Sequence, residues 1–188
     1  MERGYESVKL RHVADELGVR SASLYYYFPG GKQEMFQQVL RRAMNRMKAG
    51  LEEAIASASE DLEKRLVAAA HYFLSQPKLD LFRMLESDLD HVDPRDRREV
   101  SSMLYEALQM PLIAVFSDAV SLPQPGSEAA HVTPSPQLMA GTFLSGIQAI
   151  HHLRADFNIP VSKQSMAAQV CAVLAAGVIA LVRTPNAR

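Results

Sequence analysis

The sequence predicts an all-α fold, a small N-terminal helix–turn–helix head followed by a larger helical body. Three observations carry this. No stretch of the 188 residues shows sustained strand-type alternation. The long apolar segments recur at the spacing of a helix. Glycines and prolines then punctuate the chain so that helix-length runs lie between them. Hydrophobic residues make up 48% and charged residues 22%, the balance of a soluble globular chain. The length suffices for one domain with a sizeable core, or for one small and one medium domain.

Taken in order, the first helix spans about Val8 to Leu17 and stops at Gly18, a residue suited to the left-handed conformation that ends helices. Ser21 is placed to cap a second short helix running to Tyr27 or Phe28, which Pro29, Gly30 and Gly31 break. A long helix follows from about Lys32 to Ile55, with Met35, Phe36, Val39, Leu40, Ala43 and Met47 on one face. Ser57 and Glu60 have capping-box spacing and start a helix through Phe73 and Leu74, ended by Pro77. Leu79 to Leu89 reads as a short helix. Asp93 and Pro94, a cap and a first-position proline, open a helix to about Val120 that Pro111 should kink. The segment SLPQPGSEAAHVTPSP, Ser121 to Pro136, reads as an exposed loop. Two last helices, about Gln137–Asp156 and Ser162–Val182, are joined by a turn at Asn158–Pro160. The expected domains are residues 1–47 and 48–188.

Charge is uneven along this order. Residues 1–50 carry nine Lys or Arg against five Asp or Glu, a net +4, on a chain whose total is −1. A basic head on an acidic body suits contact with a polyanion. Cys171 is the single cysteine, so no disulfide can form within the chain and a cytoplasmic location fits. The N-terminal MERGYESVKL lacks the apolar core of a signal peptide. Met166 to Val182 is the one membrane-length run, interrupted by Gln169, and is expected to be a buried helix with no membrane partner.

The second short helix contains three consecutive tyrosines. At about 100° per residue, Leu24 and Phe28 share one face, Ala22 and Tyr26 lie opposite, and Tyr25 and Tyr27 fall on the flanks. The inward set is completed by Leu10, Val13, Ala14, Leu17 and Val19. A DNA major groove accepts one helix whose N-terminal part reaches base edges, with hydroxyls and lysines at the rim taking phosphate oxygens. A surface helix packing tyrosines in a partner interface is the competing reading of these residues.

The segment GYESVKLRHVADELGVRSASLYYYFPGGKQEMF, from Gly4 on, resembles the DNA-binding region of the TetR family of bacterial transcriptional regulators. The resemblance implies that Ser21, Ala22 and Tyr26 face base edges, that Tyr25, Tyr27 and Lys32 hold phosphates, and that Arg20 reaches either. Lys9 and Arg11, opening the first helix of the pair, would contact backbone or an outer base. Lys9 replaces the usual Ser or Thr cap, at a loss of about 1 kcal/mol. Gly30-Gly31 reads as a loose linker ahead of Lys32, where backbone N–H groups favour anions. The family places a further amphipathic helix before Gly4, and here only Met1, Glu2 and Arg3 precede it. A head lacking that helix would expose Val13, Leu17 and Leu24 and bind DNA more weakly.

For the body, the last helix is apolar nearly all round and is expected to be buried on more than one side. A two-fold pairing of the last two helices through Leu144, Ile147, Ile150, Val170, Leu174, Val178 and Leu181 would make a homodimer. The middle helices are rich in methionine and aromatics, which is usually plain core, but the resemblance implies an effector cavity there. Its candidate lining is His71, Tyr72, Phe82, Met84, Met103 and Tyr105, with Phe116, Phe143 and His151. The expected effector is apolar or amphipathic.

Metal, cofactor and catalytic motifs are not found. The six histidines form no His-x-x-x-His, His151 and His152 point about 100° apart on a helix, and no phosphate loop or nucleophile elbow occurs. The leading expectation is a homodimeric, ligand-responsive repressor of a palindromic double-stranded DNA operator. The alternatives are a dimeric small-molecule-binding protein whose shortened head no longer binds DNA, and an enzyme using His71 or His151.

Overall fold

The computed structural model describes residues 9–77, 94–121, 135–153 and 160–183. Its described elements are all helical: α1 Leu10–Glu16, α2 Ser21–Tyr27, α3 Gly31–Ser57, α4 Leu62–Ser75, α5 Pro94–Leu104, a π-helical turn Tyr105–Gln109, α6 Met110–Ser121, α7 Pro136–His152 and α8 Lys163–Arg183. The expected helix at Leu79–Leu89, the Asp93 cap and most of the Ser121–Pro136 loop lie outside the described residues, as do residues 1–8. The chain divides into two compact units, one from the described parts of residues 1–46 and 79–104, the other from those of 47–78 and 105–188.

In the first unit, α1 ends as its glycine predicts. Gly18 takes φ 65°, its N–H donates to Asp15 O at 3.2 Å, and the Val19 N–H reaches back to Ala14 O at 2.9 Å. This is a Schellman stop, which turns the chain into α2 while satisfying two end carbonyls. Leu10, Ala14 and Leu24 form the small core, with Val13, Phe28 and Met35 packed on it. Leu24 is therefore covered by α1, against the expectation of exposure, whereas Leu17 is 63% exposed. Leu17, the C-cap of α1, and Val19, just beyond its glycine stop, do not join the core and are exposed. Ser21 does not cap α2 either; Arg20 occupies the cap position with no side-chain bond, and Ser21 is already helical.

Along α3 the buried stripe is Leu40, Met44, Met47, Leu51 and Ile55, at steps of three and four. Val39, expected on this face, sits about 100° away from Leu40 and is exposed. Asp61, rather than the Ser57–Glu60 box, starts α4: its Oδ1 accepts the Lys64 N–H at 3.0 Å, while Ser57 still belongs to α3. Pro111 does not simply kink its helix. Lacking an N–H and crowding the carbonyl four residues back, it is preceded by the five-residue π-helical turn, which widens the coil by one residue.

The second unit is the main core. Leu51, Leu66, Leu112, Phe116, Phe143 and Ile147 are fully buried within it. The inner face of α8 is Ala167, Cys171, Ala175 and Val178, small enough for close approach to α4 and α7. A Cβ placed on Gly146 of α7 would stand 3.3 Å from Val170 Cγ1, so the helix pair already touches at that point. Ser135 caps α7, accepting the Leu138 N–H, with Pro136 in the first turn. Ser162 caps α8 through the Ser165 N–H at 3.1 Å.

Gly50 has a packing reason for standing inside a long helix. A Cβ there would fall 2.5 Å from Tyr72 Oη and 2.6 Å from its Cε2, so the tyrosine ring fills the notch. Tyr72 in turn meets Phe73 edge-on and Phe73 meets Phe143. Alanine favours a helix interior by about 1 kcal/mol over glycine, but overpacking costs about 1–3 kcal/mol. Gly50→Ala is therefore expected to destabilise the protein by about 1 kcal/mol, and to stabilise it by about the same amount when Tyr72 is also alanine. Urea unfolding of the four variants measures both signs.

Cys171 is buried against α4, and burial, aided by the Glu63 charge, pushes its thiol up to about 12 from 9.0. The native protein should resist a thiol reagent at pH 8 that labels the urea-unfolded chain at once. The folded state also keeps this proton where the unfolded chain loses it. Its contribution is whole below pH 9.0 and falls away as pH rises toward about 12. Cys171→Ala should flatten that alkaline loss in denaturant titrations.

Candidate nucleic-acid interface

The seven residues of α2 bury one side chain, Leu24. The other six side chains are exposed or half-buried. Tyr26 is 81% exposed, Tyr27 69% and Tyr25 56%, and the Tyr26 and Tyr27 rings meet edge-on with centroids 5.5 Å apart. Ala22 and Ser23 are exposed, and Ser21 is half-buried. The helix thus presents small residues at its start and phenols along its outer side, the shape that lets an N-terminal helix end approach base edges.

Cations stand on the elements before and after α2. Lys9 holds the cap position of α1 at φ −108° and ψ 145° with no side-chain cap bond, and Arg11 follows it on the surface. Arg20 leads into α2 and is exposed. Lys9, Arg11 and Arg20 make no ion pair among the described residues. Lys32 is half-buried in the first turn of α3.

The connection that sets Lys32 is a defined turn, not a loose one. The Gly31 N–H donates to Phe28 O at 2.8 Å across Pro29 and Gly30. Gly31 adopts φ 73°, which only glycine takes freely. Glu34 folds back so that its Oε2 accepts the Gly30 N–H at 2.8 Å, and Gln38 Nε2 donates to its Oε1 at 3.1 Å. One N–H at this helix start is therefore already taken by the chain's own carboxylate. The cue was legible as a glutamate four residues after Gly30, but glycine pairs read as flexibility when the return bond is unseen.

The candidate effector residues that the structure describes differ in burial and in the unit to which they belong. Phe116 and Phe143 are fully buried in the core of the second unit. Tyr72 is half-buried over Gly50, and burial raises its hydroxyl pKa. His71 is exposed on α4, because it falls on the side of that helix away from Leu66 and Ala70. Tyr105 is exposed in the π turn, and Met103 belongs to the first unit. His151 is half-buried near the end of α7, where its carbonyl accepts Lys163 Nζ at 2.6 Å. Phe82 and Met84 lie outside the described residues. A groove of about 700 Å³ does open in the second unit, but between Ile55, Leu62, Arg65, Val115, Asp118 and Ile179, none of them a candidate from sequence. Among the described residues no cluster of three His, Cys, Asp or Glu could hold a metal ion.

The proposed dimer residues divide. Ile147, Ile150 and Val178 belong to the subunit's own core, since α7 and α8 turn them toward α4 and α6. Leu144, Val170 and Leu174 are half-buried against that core, and Leu181 is exposed. Nor is α8 enclosed on several sides in the single chain. Its outer face shows Val173, Ala176, Gly177, Ala180 and Leu181 to solvent, with Val173 72% exposed.

Residues 1–39 match the sequence model of the bacterial regulatory proteins of the tetR family. Among solved structures, the chain is similar to the fatty acid degradation regulator FadR from Bacillus halodurans, with a TM-score of 0.69 at 16% identity over 94% of this chain and 89% of that one. It is similar to the TetR family transcriptional regulator PfmR from Thermus thermophilus, with a TM-score of 0.59 at 19% identity over 92% and 90%. It is also similar to AibR, solved in complex with isovaleryl coenzyme A and operator DNA, with a TM-score of 0.58 at 17% identity over 91% and 89%. No curated protein matches the sequence.

Proposed function

We propose that this chain, a tetR-family DNA-binding transcriptional regulator, acts as a homodimeric repressor that leaves a palindromic operator when a small apolar or amphipathic effector binds its helical body. The observation that carries the reading is α2, which spends one side chain on the core and offers three tyrosines to a partner. In this reading Ser21, Ala22 and Tyr26 face bases, Tyr25, Tyr27, Lys9, Arg11 and Lys32 hold phosphates, and Arg20 stands between the two sets. Two such helices on one dimer would enter successive major-groove turns.

The exposed apolar stripe of α8 supports dimerisation through the last two helices. Its partner face is best drawn from Val173, Ala176, Gly177, Ala180 and Leu181, together with the exposed side of α7. An effector would act by preferring the dimer in which the two heads no longer match two half-sites, and its effect is limited by that preference. AibR, solved with both a coenzyme A thioester and operator DNA, is a precedent for one such chain holding both kinds of partner. The regulator would work in the cytoplasm beside its DNA, where its single thiol stays reduced.

The test is binding of the protein to DNA from its own upstream region, titrated across salt. The expected result is a palindromic site retained at salt that removes random DNA, with a log–log slope reporting the phosphate contacts. If random DNA competes equally at every salt, the chain reads no operator, and the small-molecule-binding alternative takes its place.

A further inference from the structure

We propose that the groove at one end of the second unit binds an amphipathic organic cation. The groove lies where the ends of α3, α6 and α8 meet the start of α4. Its volume of about 700 Å³ falls in the range of small-molecule sites. Ile55, Leu62, Val115, Ile179 and Val182 supply apolar walls. Three carboxylates, Glu60, Asp61 and Asp118, stand against one guanidinium, Arg65.

The charges are not equivalent. Arg65 Nη1 pairs with Asp118 Oδ2 at 3.1 Å, and Asp61 Oδ1 is held by the Lys64 N–H at 3.0 Å. Glu60 is exposed and has no partner among the described residues. An alkyl or aryl group along the walls would therefore bring a positive head to Glu60 without breaking an existing pair. An acyl chain ending in an anion would meet a surplus of negative charge at the same rim, and Arg65 is already engaged. The groove can hold such a cation whether or not the head binds DNA.

Calorimetric titration of the full chain with decyltrimethylammonium, decyl sulfate and decyl maltoside, each below its micelle concentration, tests it. The expected result is saturable one-to-one binding of the cation, at least tenfold tighter than the sulfate. Glu60→Gln should weaken the cation about three- to fivefold, the effect of one exposed ion pair, and leave the maltoside unchanged. Ala119→Phe, which fills part of the groove, should weaken cation and maltoside alike. If thermal melting shows that Ala119→Phe is unfolded, Ser59→Phe at the exposed rim serves instead. Equal binding of the sulfate, an unchanged cation affinity in Glu60→Gln, non-saturable uptake, or full binding in the folded groove-filling variant each overturns the proposal.

Discussion

Tyr26→Ala should weaken operator binding by about ten- to a hundredfold while leaving binding to random DNA nearly unchanged, since a good base contact is worth about 1–3 kcal/mol of discrimination. In the proposed dimer the substitution is made twice, so the upper part of that range is the better expectation. Because Tyr26 is the most exposed of the three rings and α2 is anchored by Leu24, removing the phenol should not disturb the head. Tyr25→Phe and Lys32→Ala are the matched controls. Each removes a proposed phosphate partner, so each should weaken operator and random DNA by similar factors. Lys32→Ala should also lower the salt slope by about one for each phosphate it no longer neutralises. Gel-shift or anisotropy titrations against a palindromic and a scrambled fragment measure all three. Equal loss of sequence preference in the three variants would mean that the outward and flanking positions have no separate roles.

The second large effect is expected at Val173→Glu. Val173 lies at the centre of the outer face of α8, about 200° from Cys171 on the helix, and is 72% exposed in the single chain. A glutamate there costs the subunit little, because exposed substitutions usually change stability by less than about 0.5 kcal/mol. In a two-fold interface the same change buries two like charges. An uncompensated buried charge costs about 3–5 kcal/mol when its partner is lacking, which corresponds to a dimer dissociation constant raised at least a hundredfold. Sedimentation or light scattering at micromolar concentration should then show monomer, with thermal unfolding of the subunit retained as far as the subunit is stable alone. Operator binding should fall with it, since one recognition helix cannot span two half-sites. A variant that stays dimeric would place the interface elsewhere, and the half-buried Leu144 and Val170 would not then be interface neighbours.

Legibility in the sequence differed from residue to residue. The helix stop at Gly18 was legible because a Schellman end needs only local backbone geometry, and glycine announces it. The faces of α2 were legible because seven residues at helical spacing leave one place for Leu24 and the opposite one for Tyr26. Boundaries set by side-chain bonds were less so. Asp61, not Ser57, captures the Lys64 N–H in the first turn of α4, and both residues look like caps in a string. Glu34 turned an expected loose glycine pair into a bonded turn by reaching back four residues. Among the Met- and aromatic-rich positions of the middle helices, Phe116 and Phe143 are buried in the core of the second unit, and burial of this kind depends on neighbours that no local pattern names.

The sequence by itself determined the helical class, the order of the described elements and which residues of α2 face outward. Each of these depends on periodicity, on glycine and proline, or on charge, and all act over a few residues. Only the tertiary structure decided which apolar residues are spent inside the subunit. Ile147, Ile150 and Val178 are consumed by contact with α4 and α6, while Val173, Ala176, Gly177 and Ala180 of α8 face outward. In a helix as uniformly apolar as α8, hydrophobicity does not distinguish inside from outside. Small residues such as Ala167, Cys171 and Ala175 take the inner side because a close neighbouring backbone is there, and that neighbour comes from another part of the chain.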